Sequence, residues 1–396
     1  MLAWGVSADE AASFCPASTQ ADESTTVRAA SNPPRSVVLG AGLIGRLLAL
    51  QLARSGHRVE MHDAAGPEAD GAAAWVAAAM LAPLAEAAVS EPAVVRLGLH
   101  SLERWPTLLA RLAQPVFFQR QGSLVLWHRQ DAAEAARFGA LLAAMQLRVP
   151  TLPELQALDA EGVAKLEPEL AGSRFAQGLF LPGEGQLDNR QLLAALLHEL
   201  QTLDVTMHWH SPRSASDFAP GRPGEPDWVF DCRGLGARGD WPGLRGVRGE
   251  VIRVHAPEVK LTRPTRLIHP RYPLYIVPKQ DHLYVVGATE IESDDASPVS
   301  VRSALELLSA LYSVHTGFAE ARIVETAARC RPALPDNLPA IRRIAPRTLS
   351  INGLHRHGFM IAPALLDIVL ELVEGGASPL AERLGLDIED AQALTA

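Results

Sequence analysis

The sequence predicts an α/β fold in which a nucleotide-binding βαβ domain is interleaved with a second, α+β domain built on antiparallel strands. Three observations carry that expectation. An apolar strand, a glycine-rich turn, an amphipathic helix and a second strand follow one another between Ser36 and Asp63. Short strands separated by turn residues crowd the region from Arg248 to Glu290. Helical and strand-like stretches alternate along the rest of the 396 residues instead of segregating into halves, so the two domains share the chain in pieces.

Each element has a local reason. Val37, Val38 and Leu39 form a short continuous apolar run, the pattern of a strand buried in a parallel sheet. Leu43 to Ser55 places Ile44, Leu47, Leu48, Leu50 and Leu52 at helical spacing, with Gly56 as the expected C-cap. His57 to His62 alternates as a second strand that ends at Asp63. Between strand and helix, Gly40, Gly42 and Gly45 spell G-x-G-x-x-G, and Asp63 follows Gly45 by 18 residues. In that setting the glycines allow a tight turn, close approach to a pyrophosphate and close helix packing, while the acid takes ribose hydroxyls. An acid rather than a base at position 63 disfavours a 2′-phosphate and leaves NAD and FAD as the choices.

Farther along, Ala72 to Ala87 is expected as a helix of small residues, lying against a flat ring or simply buried. Val116–Trp127 is strand-like, Asp131–Met145 and Asn189–Leu203 are helical, and Val205–Trp209 and Asp227–Ala237 carry strands. Arg248–His255, Pro273–Gln280 and His282–Glu290 read as strands, with a hairpin turn at Gln280-Asp281. Val301–Val314 is a helix, and a last apolar helix follows Gly358. There is no internal repeat.

Composition narrows the function classes. A content of 48% hydrophobic residues supports a large core and more than one domain. The net charge of -9 argues against nucleic acid or an anionic membrane as a partner and favours small-molecule chemistry. Cys15, Cys232 and Cys330 are odd in number and far apart, which suits a reducing, cytoplasmic location and offers no disulfide framework or zinc spacing. The longest apolar stretch, Ala72 to Ala85, is too short for a membrane span. The first 34 residues lack a signal-peptide pattern and are expected to be a disordered leader.

Several blocks in order carry a family resemblance: "VVLGAGLIG" (Val37 to Gly45), "AAAMLAPLAE" (Ala77 to Glu86), "DCRGLGA" (Asp231 to Ala237), "VRGEVIRV" (Val247 to Val254), "PLYIVPKQDHLYVVGATE" (Pro273 to Glu290), "RPALPDNLPAI" (Arg331 to Ile341) and "GLHRHGFMIAPALL" (Gly353 to Leu366). From Arg35 to Ser378 the chain resembles the D-amino acid oxidase superfamily, and within it the glycine oxidases of thiamine biosynthesis. The resemblance implies a Rossmann-like FAD-binding domain made of residues 35–114, 160–246 and 325–396, and a substrate-binding domain made of 115–159 and 247–324. Residues 1–34 have no counterpart in it.

It also implies non-covalent FAD held by Gly40, Ala41, Gly42, Leu43, Ile44, Gly45, Asp63, Ala79, Met80, Gly234, His357, Gly358, Phe359 and Met360. Arg331 matches the arginine that binds the substrate carboxylate, where a planar guanidinium can make two parallel charge-assisted bonds. Tyr275 matches a tyrosine that shares that carboxylate, Met80 a methionine near the reactive face of the flavin, and Arg356 an arginine beside substrate and flavin. The helix start after Gly358 is expected to stabilise negative charge at the flavin pyrimidine.

The implied reaction oxidises glycine or another small amino acid to an imine, with O2 as electron acceptor and H2O2 as product. The imine is hydrolysed or passed into thiazole assembly. Orientation suffices, so no residue is assigned as acid or base. The alternatives are a D-amino acid or N-methyl amino acid oxidase or dehydrogenase of the same fold, and a tRNA-modifying FAD oxidoreductase. A homo-oligomer is compatible with the sequence. Two departures stand out: His357 where a small polar residue is usual, and Asp63 where glutamate is usual. His355 and His357, read as extended chain, share the face opposite Arg356. Neither this pair nor His208 with His210 is expected to bind metal, because no third ligand is in view.

Overall fold

The computed structural model describes residues 32–268 and 274–390. The expected leader therefore lies almost wholly outside the described residues, as do the last six. The apolar run Val37–Leu39 sits in the strand Arg35–Leu39, near the middle of a seven-stranded sheet. Trp228–Asp231 and Arg58–His62 flank it in parallel, an arrangement that needs crossover connections. Thr206–His208 closes one edge, parallel to Arg58–His62. On the other side come Thr348–Asn352, Ala340–Ala345 and Ile388–Asp390.

The helix Leu43–Arg54 is buried over Leu43 to Leu52, more completely than a one-faced amphipathic helix would be. Helices Asn189–Thr202 and Gly358–Gly375 pack on it as well as the sheet. Even Arg46 is only 1% exposed. Its Nε donates to the Ala41 carbonyl at 2.7 Å and its Nη1 to Leu193 at 2.8 Å, while Nη2 donates to Pro67. Three carbonyl acceptors compensate a buried cation and tie the glycine turn to its surroundings. Burial lowers the pKa of this guanidinium to about 10, so it stays charged at neutral pH.

A nine-stranded sheet forms the second layer, with Arg245–His255 at its heart. Leu283–Gly287 and Arg322–Ala333 pair antiparallel on either side of that strand. The order continues through Leu274–Pro278, Thr265–Ile268, Ser123–Trp127, Gln177–Leu181 and Gln156–Asp159. Sheet membership crosses the expected segment boundaries at three strands. Gln177–Leu181, the first two residues of Arg245–His255 and most of Arg322–Ala333 belong to this sheet, and they fall within 160–246 and 325–396, which were expected with the nucleotide-binding part. Long-range pairing decides which sheet a strand joins, and local pattern does not display it. Both sheets belong to one unit that starts at Pro34.

Two local expectations also change. The hairpin turns on Asp281 and His282, both at positive φ (55° and 56°), one residue beyond the expected pair; positive φ at both central residues marks the turn that matches strand twist. The stretch Ala72 to Ala87 is not one helix. It is broken into Ala73–Val76, a strand Met80–Leu81 and Pro83–Glu86. Ala79 at φ 53° and Pro83 at the start of the last turn interrupt it.

Candidate active site

One cavity of about 830 Å³ runs from the carboxyl ends of the parallel strands to the face of the nine-stranded sheet. The glycine turn forms part of its wall: Gly40, Ala41, Gly42, Leu43 and Ile44 all line it. Gly45 lies beneath, where a Cβ would fall 1.9 Å from the Gly40 carbonyl oxygen, so only glycine lets the helix sit this close to the turn. No side chain caps the start of helix Leu43–Arg54 and its first turn has no acid. The free N–H groups there suit a phosphate. Asp63 also lines the cavity. Its Oδ2 accepts from the Ala41 N–H and its Oδ1 from the Ala65 N–H at 2.7 Å, which fixes both flanking loops and leaves lone pairs for hydroxyl donors.

Ala79, Met80, Gly234, His357, Gly358, Phe359 and Met360 line the same cavity. The last three open the helix Gly358–Gly375, whose positive end therefore borders the cavity. These features fit a dinucleotide with a flat ring system: an uncapped helix start for phosphates, an acid for ribose, and a second helix start for a ring that gains negative charge.

On the other side, Arg331 and Tyr275 come together from separate strands. Clearance on the sheet makes this possible. A Cβ on Gly249 would meet Nη2 of Arg331 at 2.3 Å, and a Cβ on Gly287 would meet the Tyr275 hydroxyl at 2.8 Å. Arg331 Nη1 donates to the Thr289 carbonyl at 3.2 Å. Burial raises the pKa of the Tyr275 phenol, against the opposing pull of Arg331 and Arg266, so the phenol remains a donor at neutral pH.

Arg356 is also in the cavity wall, but its guanidinium is already engaged. Its Nε donates to Glu86 at 2.8 Å and its Nη1 to Glu290 at 3.0 Å. Glu86 accepts in addition from Arg266 Nη2 and from His357 Nε2, both at 3.1 Å. Burial works to raise the Glu86 pKa, yet Arg356, His357 and Arg266 together hold it well below the usual carboxylate range. Donation to a carboxylate puts a proton on Nε2 of His357. Its buried Nδ1 has no hydrogen-bond partner among the described residues.

His355, Arg356 and His357 form a 3-10 turn, not the extended segment expected, and both imidazoles are buried. They meet edge to face with centroids 5.7 Å apart. Burial, His357 and Arg356 push the His355 pKa down to about 3, so this ring is neutral.

Sequence reasoning gave no role to Glu86, Arg266, Glu290, Glu184 or Lys279. Lys279 is buried and donates to the carbonyls of Leu187 at 2.7 Å and Ala78 at 2.9 Å and to Gln186 Oε1 at 3.2 Å. It thereby holds the segment that leads through Ala79 into the strand Met80–Leu81. Glu86 had one signal, an acid ending an otherwise apolar block; Arg266 sits on a strand the sequence did not mark.

The family model for FAD dependent oxidoreductases (DAO) matches residues 35–372. A Rhizobium etli protein named for thiamine biosynthesis, oxidoreductase ThiO, is 43% identical over 337 residues, covering 84% of this chain and 94% of that protein. Glycine oxidase of Geobacillus kaustophilus is 26% identical over 363 residues, covering 85% and 92%. Its crystal structure superposes with a TM-score of 0.71 at 25% identity, covering 86% of this chain and 95% of that one. Iminodiacetate oxidase from Chelativorans sp. shares the fold, with a TM-score of 0.73 at 24% identity over 90% of this chain and 99% of that one.

Proposed function

The chain belongs to the DAO family of FAD-dependent oxidoreductases, and from that premise we propose that it oxidises glycine or another small amino acid in the service of thiamine biosynthesis. The observation that carries the substrate class is the convergence of Arg331 and Tyr275 over Gly249 and Gly287, in the cavity that also holds the dinucleotide turn. The likeness to a relative named for thiamine biosynthesis and to a glycine oxidase supports the choice of substrate and pathway.

In this reading the seven-stranded part holds FAD and the nine-stranded part holds the substrate. FAD supplies a two-electron acceptor for the α-carbon hydride. Arg331 receives the α-carboxylate through charge-assisted bonds, and the protonated Tyr275 hydroxyl donates to the same group. That fixes the α-carbon while the amine reacts in its neutral form. Arg356, held by Glu86 and Glu290, contributes a positioned cation to the wall rather than a loose arm. The start of helix Gly358–Gly375 stabilises negative charge in whatever ring lies against it. No side chain is assigned as acid or base.

The net reaction with O2 as acceptor is glycine, O2 and water giving glyoxylate, ammonia and H2O2. Scattered cysteines support a cytoplasmic setting; among the described residues no helix is long and apolar enough to cross a membrane. The test is an anaerobic titration with glycine, sarcosine and D-alanine, followed by peroxide yield in air. Glycine is expected to bleach the flavin, and a protein that none of the three reduces would refute the proposal.

A further inference from the structure

We propose that Glu60, His62 and His208 form a site for a divalent transition-metal ion of the zinc class at the edge of the seven-stranded sheet. Parallel pairing of Arg58–His62 with Thr206–His208 sets His62 directly beside His208. Glu60, two residues before His62, shares that face. His210 takes no part; across the sheet, His62 and Glu60 give His208 the partners that its own strand lacks.

The spacing suits an ion. Nε2 of His62 is 2.9 Å and Nε2 of His208 is 3.1 Å from one oxygen, Oε1 of Glu60. All three donor atoms lie within 4.8 Å of one another. In a tetrahedral site with metal–ligand bonds of about 2.0–2.1 Å, neighbouring ligand atoms are roughly 3.3 Å apart. Two edges of the triangle are therefore within a few tenths of an ångström of that length, and water can take the fourth position. The two imidazoles stack, with centroids 4.5 Å apart and planes 14° from parallel, so the more exposed His208 ring turns about its side-chain torsions to bring its Nε2 lone pair onto an ion held by His62 and Glu60. Nitrogen and carboxylate donors in this number suit zinc, and also copper(II) or nickel(II).

Ser211 completes the outer shell. Binding a metal at Nε2 moves the ring proton of His62 to Nδ1, and the Ser211 hydroxyl lies 3.3 Å from that atom. A second-shell acceptor of this kind fixes the tautomer a ligand histidine needs. His62 is buried, while side chains of Glu60 and His208 are 35% and 41% exposed, so an ion can enter from solvent. Among the described residues this is the single group of three such donors. A bound ion would fasten the three-residue edge strand Thr206–His208 to its neighbour, beside the cavity wall to which His62 contributes.

The test uses the full-length, FAD-loaded protein after EDTA treatment, titrated with zinc chloride by calorimetry. One zinc per chain is expected to bind, and to raise the thermal midpoint. His208→Asn and Glu60→Gln are each expected to weaken that binding at least about tenfold and to abolish the midpoint shift. Their flavin content, compared with wild type, shows that the variants fold. Should one of them fold poorly, the other supplies the comparison, since Glu60→Gln keeps both size and acceptor. Absence of a stoichiometric site in the wild-type protein would overturn the proposal, and so would zinc binding that a folded variant leaves unchanged.

Discussion

The indole Nε1 of Trp105 donates at 2.9 Å to the carbonyl of Phe359, the acceptor that Pro363 leaves without its helical N–H. Proline at i removes the bond to the carbonyl at i−4, and here that carbonyl lies in the first turn of the helix bordering the cavity. One residue on, the Ala364 N–H finds Ser101 Oγ at 3.1 Å. The helix Pro92–Leu109 thus repairs the break and keeps the start of Gly358–Gly375 in place. Trp105→Phe removes the donor and leaves a buried acceptor unmet, a loss of about 1–3 kcal/mol. Urea denaturation with FAD in excess should show a lower midpoint, and FAD should dissociate more readily from the variant.

Arg331→Ala should raise the KM for glycine by roughly a hundredfold, the scale of about 2–3 kcal/mol for a charge-assisted carboxylate contact. FAD content should be unchanged, because the residue lies on the nine-stranded sheet. Steady-state kinetics beside a flavin absorbance ratio separates the two quantities.

Gly249→Ala probes the same contact without touching the charge. The new Cβ would overlap the Arg331 guanidinium at 2.3 Å from Nη2, so the side chain must swing from its seat. The expected result is a raised KM with near-normal stability and FAD binding. A KM equal to wild type would show that Arg331 does not hold the carboxylate from this position.

These positions show how far the sequence reaches. Local patterns mark the glycine turn and the helices Val301–Val314 and Gly358–Gly375, because spacing and turn chemistry are written into adjacent residues, whereas the blocks carrying Arg331, Tyr275 and Arg356 stand out only through the family resemblance. Glu86 was visible only as a letter. Its importance comes from Arg266 and Arg356, which are 180 and 270 residues distant in the chain, and no periodicity records such a meeting. The broken stretch Ala72 to Ala87 misled for the opposite reason: alanine favours helix locally, while the cavity wall requires the positive φ of Ala79.

Glu184 gives the protein a distinctive acid profile. Burial pushes its pKa up to about 7, against the pull of Arg266, the Ser123 hydroxyl and the Ala85 N–H. The folded protein then keeps a proton that the unfolded chain loses near its ordinary value of 4.5. Between those two pH values the native state binds more protons, so this group makes stability fall as pH rises. Glu184→Gln mimics the protonated acid and should flatten that fall by a few kcal/mol, on the order of 3. Denaturation midpoints at pH 5 and pH 7.5 for both proteins measure it; parallel slopes would show that Glu184 is ionised throughout.

Glu86 acts in the opposite sense. Its folded pKa is depressed, so its contribution is complete above the unfolded value and is lost as pH falls through the folded one. Glu86→Gln removes the charge that Arg356, Arg266 and His357 share and leaves two partly buried guanidiniums with only a neutral amide between them. Breaking one side of such a pair costs about 3–5 kcal/mol when fully buried, and less here because Arg356 is 25% exposed and keeps Glu290. The kinetic consequence separates positioning from mere stability. Arg356, released from Glu86 and tethered by Glu290 alone, gains reach toward the substrate end, so the variant should accept dicarboxylic amino acids relatively better than glycine. Comparing kcat/KM for glycine and D-aspartate in wild type and variant tests this, and an unchanged ratio would confine Glu86 to holding the fold.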